Sequence, residues 1–472
     1  MRRAFLACIL APLAACVGGS ATAGNADTTT TPAAQATAQA APRAVVRTTT
    51  PTLQGYWRGA IVRGGALQEL ALWLDQPESG SLRLRVDVPN WNLVQFAVEH
   101  TAGDGQLSFR LGRATVTLAA DISGGTMSGT LERPGKDGPT QLAVHLTRLP
   151  APDVAPVVQT AIEFPSADGV TLTGTLVLPE GDGPFPGLVL VQGRSYGPGF
   201  QFLGHAVRAA RRGVAAIVFN GRGVAGSGGE RGKHTLQHRL DDAMAAFDTL
   251  AGHPRVAPDR VGMLGHSAGG WVAPVLAHQT GRIAFVVMHS GPAVDLAEQQ
   301  AQVVRELMKR SGGEFSEQDY ADAFAYQKAL TRLAMDAAPW AEIAAHVATA
   351  EGRPWAEIAD RPKDYEDNGS VGYFRRVPHD SDEALAALTV PVLAVYGADD
   401  FVVPPEHNVP VLESALRRAG NRDFEIVVFP RANHDLMVEG GDGTDGNAAS
   451  WAHRPPLYFE TLLDFVDRAT RR

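Results

Sequence analysis

Cysteine is nearly absent: the 472 residues hold two, Cys8 and Cys16, both close to the start. Beyond them the chain has no thiol, which excludes a disulfide framework and a cysteine nucleophile in the body of the protein. A basic excess is missing as well. Lys and Arg number 42 against 51 Asp and Glu, for a formal charge of −9. No cluster of Lys or Arg has aromatics interleaved, so nucleic acid is excluded as a partner. Past the first segment no stretch is apolar enough to span a bilayer as a helix. Internal repeats are absent too. What remains, 44% hydrophobic and 20% charged residues, is the balance of an ordinary globular protein long enough for roughly two or three domains.

The N-terminus carries a targeting pattern. Arg2 and Arg3 precede the apolar run Ala4–Ala15, and Leu13-Ala14-Ala15-Cys16 has the form of a lipobox. The segment resembles a bacterial lipoprotein signal, with Cys16 as the lipidated first residue of the mature chain. The apolar run stops at Cys16, which favours this over cleavage after Ala21-Thr22-Ala23. Val17 in place of an aspartate implies, by the same resemblance, the outer membrane; either reading exports the protein, to the periplasm or to an outer-membrane anchor. Residues 17–52 are Ala, Thr, Gln, Gly and Pro with few large apolar side chains. They cannot bury enough surface to offset ordering, and read as a flexible tether.

From 53 to 149 short alternating runs such as Ser81–Val88 and Ala114–Leu118 are separated by turn dipeptides. Period-two alternation at this spacing predicts an antiparallel sandwich or barrel of roughly eight strands. Pro150, Pro152 and Pro156 mark a linker over 150–157. From 158 to 472 apolar runs alternate with helical stretches. Runs such as Gly187–Val191 and Val214–Asn220 are apolar without alternation, as strands buried on both faces should be. The expected architecture is a doubly wound, mostly parallel α/β sheet. Polar helical stretches between 295 and 382 interrupt it after the sixth strand and read as an inserted cap.

Gly265-His266-Ser267-Ala268-Gly269 follows the strand-like Val261–Leu264 and precedes a helical stretch. That context makes it a nucleophile elbow, a turn so sharp that the serine Oγ stands clear of the backbone. Downstream lie Asp400, in YGADDFVVP, and His434, in FPRANHDL. Upstream lie Gln192–Gly199 (QGRSYGPG) and Asn220–Gly229 (NGRGVAGSGG). With these motifs in this order, residues 158–472 resemble the α/β-hydrolase superfamily, and within it bacterial serine esterases with a β-rich N-terminal module.

The resemblance implies a Ser-His-Asp triad. A serine hydroxyl needs an adjacent base, and the base an orienting acid. Ser267 would be the nucleophile and His434, just after a strand, the base, with His289 and His453 in reserve. Asp400 falls three residues after Gly397 and shortly before Val403-Pro404, the family's spacing for the acid. Asp399 competes, but neighbouring side chains on an extended segment point to opposite sides, and Asp399 reads as a turn residue. The oxyanion donors would be the amides of Ala268 and Arg194. Gln192 stands where related enzymes carry histidine, which keeps the backbone donor and loses the imidazole.

Other motifs have plainer readings. The 220–229 loop lacks Gly-Lys-Ser/Thr, so it reads as a brace for the site and not as a phosphate cradle. His234 and His238, four apart, have no zincin glutamate and no third ligand; they are expected to be solvent-facing, with no metal and no cofactor. The implied activity is carboxylic ester hydrolysis on a small-molecule substrate. Two alternatives stay open: a prolyl-oligopeptidase-type serine peptidase, and a surface glycan- or lipid-binding protein whose hydrolase domain is secondary. About 100 residues of β-module cannot make the propeller the former usually carries.

Overall fold

The computed structural model describes residues 52–63, 66–76, 81–135, 138–364, 371–438 and 453–471. The expected signal segment, Cys16 and the tether up to residue 51 lie outside the described residues.

The N-terminal module is built from nine strands: β1 (Gly55–Arg63), β2 (Ala66–Asp75), β3 (Arg83–Val88), β4 (Leu93–Ala97), β5 (His100–Gly103), β6 (Gln106–Leu111), β7 (Ala114–Asp121), β8 (Thr126–Arg133) and β9 (Thr140–Leu149). They form one antiparallel sheet in the order β4-β3-β2-β1-β9-β8-β7-β6-β5. The alternation drives it. Along β7, Val116 and Leu118 are buried while Thr115 and Thr117 face solvent. Inward residues from across the sheet, among them Trp57, Leu72, Val86, Phe109, Val116 and Leu146, share one core, so the sheet curls over itself. The expectation was roughly eight strands in a sandwich or barrel. The structure shows nine in one curled sheet, and β5, almost wholly exposed and without an apolar alternation, had no signature to read.

Eight further strands make the second sheet: β10 (Val157–Pro165), β11 (Thr171–Pro179), β12 (Phe185–Val191), β13 (Ala215–Phe219), β14 (Val256–His266), β15 (Val286–His289), β16 (Val392–Gly397) and β17 (Phe424–Phe429). Their order is β10-β11-β13-β12-β14-β15-β16-β17, antiparallel through β10, β11 and β13 and parallel from β13 to β17. Both faces are covered. Val189 and Val191 of β12 enter one core with α2 (Leu236–Ala251), α3 (Gly269–Thr280) and α9 (Pro405–Arg418); Leu188 and Leu190 enter the other with α1 (Leu203–Arg211) and α10 (Tyr458–Thr470). That is the period-two geometry of a strand buried on both sides.

Between β15 and β16 the chain leaves the sheet as α4 (Leu296–Arg310), α5 (Glu317–Met335), α6 (Trp340–Ala348), α7 (Val371–Arg376) and α8 (Asp382–Ala386). Four of these helices, α4 to α7, have a core of their own, and it includes Ala268 and Trp271. The insertion therefore packs directly on the residue after Ser267.

The module touches the second sheet's domain through Asn92. Its Nδ2 donates to the Gln201 carbonyl at 2.7 Å and meets His205 Nδ1 at 2.8 Å, while its own carbonyl accepts from the Gly204 amide at 3.1 Å. Phe96 stacks obliquely on Phe200, ring centres 5.7 Å apart.

One polar network lies wholly inside the fold. Asp242, fully buried on α2, accepts from Arg222 Nε (2.9 Å) and Nη2 (2.7 Å) and from Tyr196 Oη (2.6 Å). Arg222 also reaches Asp168. Removing one partner of such a pair leaves an uncompensated buried charge, which costs about 3–5 kcal/mol. Arg222→Ala should therefore lower unfolding free energy by about that much in urea titrations. Arg417→Ala, which removes an exposed pair with Glu413, should cost less than about 1 kcal/mol. Equal losses in the two variants would show that the network contributes no more than a surface bridge.

Candidate active site

Parallel strands end at the same edge, and in such sheets the loops beyond their C-terminal ends gather there. Here β12 delivers Gln192–Gly197, β14 delivers Ser267, β16 delivers Asp400 and β17 delivers His434. Ser267 has φ +52°, a left-handed conformation for a residue with a side chain. Such a conformation costs of order 1–3 kcal/mol and persists only where neighbours enforce it. The Ser267 amide donates to the His289 carbonyl at 2.9 Å and its carbonyl accepts from the Gly270 amide at 2.7 Å. Gly265 permits the crossing of strand and helix: a Cβ there would lie 2.0 Å from the Gly269 carbonyl oxygen.

The structure brings Ser267, His434 and Asp400 into one hydrogen-bonded line. His434 Nδ1 lies 2.8 Å from Asp400 Oδ2, and Nε2 lies 2.8 Å from Ser267 Oγ. A carboxylate can only accept, so the ring proton sits on Nδ1 and the Nε2 lone pair faces the hydroxyl. Asp400 is 2% exposed, and its other oxygen, Oδ1, accepts from the Val402 and Val403 amides at 2.8 Å each. Asp399 turns outward to solvent. Burial pushes the His434 imidazole down, but the charge and hydrogen bond of Asp400, with Asp435 behind them, raise its pKa above the usual histidine value.

Of the two expected oxyanion donors, Ala268 directly follows the serine. Among the described residues the Ala268 amide makes no backbone hydrogen bond. Gly193, the residue before Arg194, lies so close to Ser267 that a Cβ on it would sit 3.1 Å from the Ser267 Cβ. Arg239, 1% exposed on α2, holds this loop: its guanidinium donates to the Gly193 carbonyl at 3.0 Å and the Gln192 carbonyl at 2.6 Å. Both carbonyls are thereby turned toward α2. Gln192 donates to the Phe219 carbonyl, tying the loop to β13. Asn220 Oδ1 accepts from the Gly199 amide at 2.7 Å, so the 220–229 loop does brace this corner.

Sequence reading passed over Arg239, and a signal existed: it lies three, four and seven residues before Asp242, Ala243 and Ala246, on the buried stripe of α2. It also misplaced His234. That residue precedes α2, is 4% exposed and lies between the rings of Tyr196 (4.7 Å) and Tyr373 (6.3 Å). Tyr196 and the cap residue Tyr373 cover it, which local sequence could not reveal. His238, by contrast, caps α2, its Nδ1 accepting from the Thr235 amide at 3.2 Å. The reserve His289, at the end of β15, is buried, with burial and then His266 pushing its pKa well down, and neither ring nitrogen has a hydrogen-bond partner among the described residues. His453 pairs through its backbone with Val438. Among the described residues Glu306, Glu406 and His407 have ligand atoms within 4.8 Å of one another, but Glu306 already pairs with Lys309.

Comparison with known proteins adds four findings. A family model described as X-Pro dipeptidyl-peptidase (S15 family) matches residues 168–434. Esterase EstD of Thermotoga maritima is 25% identical over 276 residues, 57% of this chain and 58% of that protein. The uncharacterized peptidase YtmA of Bacillus subtilis is 28% identical over 146 residues, 30% of this chain and 56% of YtmA. The match thus spans less than two thirds of either relative. Among solved structures, the Pyrococcus furiosus esterase Pf2001 superposes with a TM-score of 0.41 at 15% identity, over 66% of this chain and 91% of that one.

A base must be neutral to act, and the raised pKa of His434 keeps it protonated at low pH. The acid limb of kcat/KM should therefore follow a group titrating above the usual histidine value. In Asp400→Asn the raising influence is gone while burial remains, so the limb should move to lower pH. Its plateau should fall by ~10³–10⁴, because the imidazole is left in the wrong tautomer. Asp399→Asn should leave the limb in place. A limb that moved in Asp399→Asn and stayed put in Asp400→Asn would reassign the acid.

Proposed function

The chain belongs to the X-Pro dipeptidyl-peptidase (S15) family, and from that premise we propose that it hydrolyses carboxylic esters with short acyl chains through an acyl-enzyme. Ser267 Oγ attacks the ester carbonyl as His434 Nε2 takes its proton. Asp400 holds the imidazole in its tautomer and stabilises the imidazolium. The amides of Ala268 and Arg194 hold the tetrahedral oxyanion. The imidazolium then protonates the departing alcohol, and water, activated by the same base, releases the acid.

The observation that carries this reading is the line Asp400–His434–Ser267, with 2.8 Å at each link. Its choice of ester over peptide rests on what surrounds the elbow. A dipeptidyl-peptidase has to hold a free ammonium, which calls for a carboxylate. Among the described residues, the aromatic Tyr373 and Phe374 lie under the Arg194 guanidinium, and Trp271, in the same core, stacks on His379; none of these four is a carboxylate. The match to an esterase over 276 residues agrees with this. A short acyl chain is favoured because the cap packs on Ala268 and Trp271 and narrows what can lie over the serine.

A peptidase remains the second reading, supported by the family match and by Asp435. That carboxylate is 68% exposed and 3.4 Å from His266 Nε2, beside the elbow. An ammonium could be held there. Export, with a lipid anchor on Cys16, is also part of the proposal, motivated by Leu13-Ala14-Ala15-Cys16.

Fluorophosphonate should label the wild-type protein and not Ser267→Ala, whose kcat should fall ~10⁴-fold or more with the fold intact. Activity within tenfold of wild type would remove Ser267 from the reaction. p-Nitrophenyl acetate should be a far better substrate than glycyl-prolyl-p-nitroanilide; the reverse order would make this a peptidase, and a peak at palmitoyl esters a lipase. For location, Cys16→Ser should shift the protein from membrane to soluble fractions or block its processing. An unlipidated mature start at Gly24 would contradict the anchor.

A further inference from the structure

The β-module meets the other domain through a shared core. Val94 of β4 packs in one cluster with Leu203, Ala206 and Val207 of α1 and with Tyr458 of α10. Just before β4 stands Asn92, 4% exposed and in the left-handed conformation at φ +57°. Its partners fix the orientation of its amide. The Gln201 carbonyl can only accept, so it takes Nδ2 at 2.7 Å, and the Arg208 guanidinium can only donate, so it takes Oδ1 at 3.4 Å. Nδ2 therefore also faces His205 Nδ1, 2.8 Å away, and that ring nitrogen accepts. The His205 proton is left on Nε2, which donates to Tyr458 Oη at 2.7 Å. Burial first, with Arg454 and Arg208 adding to it, pushes the His205 pKa well below the usual value, so the ring is neutral and holds that tautomer. The two domains approach closely here: a Cβ on Gly204 would lie 2.3 Å from Asn92 Oδ1.

What Asn92 holds is the chain that leaves the loop Gln192–Gly199, which carries the expected oxyanion donor Arg194. That loop runs straight into the turn Gly199–Phe202 and then α1, and Asn92 bonds Gln201, Gly204 and His205. Phe202 lies inside the bonded stretch, 6% exposed, with its ring centre 5.5 Å from that of His205 and 5.6 Å from that of His266. His266 ends β14 and immediately precedes Ser267. Its ring centre lies 5.4 Å from that of His434 and 4.9 Å from that of His289, and its Nε2 is 3.4 Å from Asp435. A Cβ on Gly193 would sit 3.2 Å from His266 Nδ1. His266 is thus in contact distance of the base and of the loop before Arg194, and it is bonded to the nucleophile. The module reaches all of them by way of Asn92 and then Phe202.

We infer that the β-module is part of the framework of the active site: Asn92 sets the 201–205 segment, and through Phe202 that segment holds His266 and, with it, the spacing of Ser267 and His434. Asn92 and Phe202 are positioning residues, acting through His266 and not on the reacting atoms. The proposal rests on the ester-hydrolase reading above, and it gives the module a task other than capture of a glycan or a lipid. The sensitivity comes from the triad itself. Proton transfer needs the Ser267–His434 hydrogen bond in place, and a displacement of ~1 Å caused by a distant change can cost ~10²-fold in rate.

The test measures p-nitrophenyl acetate hydrolysis in Asn92→Gly, which keeps the left-handed backbone and removes the side chain. Its kcat should fall by ~10–100-fold with KM within about twofold, because no substrate contact is lost. Asn92→Asp, which keeps the shape and loses the donor, should fall in the same direction, and it reads the link even if the glycine variant does not fold. Phe202→Leu should lose kcat as well. The double variant Asn92→Gly/Phe202→Leu should lose little more than the larger single loss, since one path carries both. Met127→Ala, in the module's core on β8, is the stability control; it should lower the melting temperature and leave kcat unchanged. The rate at which fluorophosphonate labels Ser267 should follow kcat across the variants, and it reads the triad whatever the substrate. Wild-type kcat in Asn92→Gly, additive losses in the double variant, or an equal loss of kcat in Met127→Ala would overturn the inference. Labelling that slows in Asn92→Gly and Phe202→Leu, in a protein whose wild type hydrolyses no ester, would keep the inference and overturn the ester-hydrolase reading. A wild type that fluorophosphonate does not label would overturn both.

Discussion

Asp400 has two oxygens, and the site depends on their being occupied differently. Oδ1 is held by the amides of Val402 and Val403, which fixes the carboxyl plane and leaves Oδ2 to face His434 Nδ1. Because that carboxylate is buried and can only accept, it settles the imidazole tautomer, and the tautomer in turn decides that Nε2 presents a lone pair to Ser267. The hydrogen bond does more than position. Burial would depress the imidazole pKa, and Asp400 reverses that, so the same contact sets the proton's place and the pH at which the base becomes available.

The surrounding fold keeps several loops in register with that line. Arg239 gathers the Gln192 and Gly193 carbonyls on one side of their loop, and Tyr196, a few residues on, is tied through its hydroxyl to Asp242. Asp242 is paired with Arg222 from the 220–229 loop, and that loop also reaches Gly199 through Asn220. A single buried carboxylate on α2 thus fastens two loops at the strand ends. The module adds a third attachment, since Asn92 bonds the segment Gln201–His205 that follows the same loop.

Much of this could be read from residue order, and the remainder shows where such reading stops. The elbow is local: glycines flank Ser267 between a strand and a helix, and those are short-range features. Asp400 was separable from Asp399 because neighbouring side chains on an extended segment diverge, and in the structure one is buried and the other faces solvent. The buried polar scaffold was not legible in the same way. Arg239 stands on an apolar stripe, but what it bonds lies 46 and 47 residues away in the chain. His234 looked like a surface histidine because the ring that covers it, Tyr373, comes from an insertion far downstream. Strand β10, half-exposed along its length, and the polar strand β5 lacked the apolar patterns that marked the others.

The cap completes the site from outside the sheet. Its core takes in Ala268 and Trp271, so apolar side chains of the insertion pack beside the serine. The central claim is that Ser267 carries the acyl group between two half-reactions. The direct test is to mix the protein with p-nitrophenyl acetate, quench in acid within the first turnover, and sequence the peptides by mass spectrometry. An acetyl group is expected on the peptide containing Ser267, at Ser267 itself, decaying as the second product appears. Steady turnover with Ser267 never acetylated would contradict it.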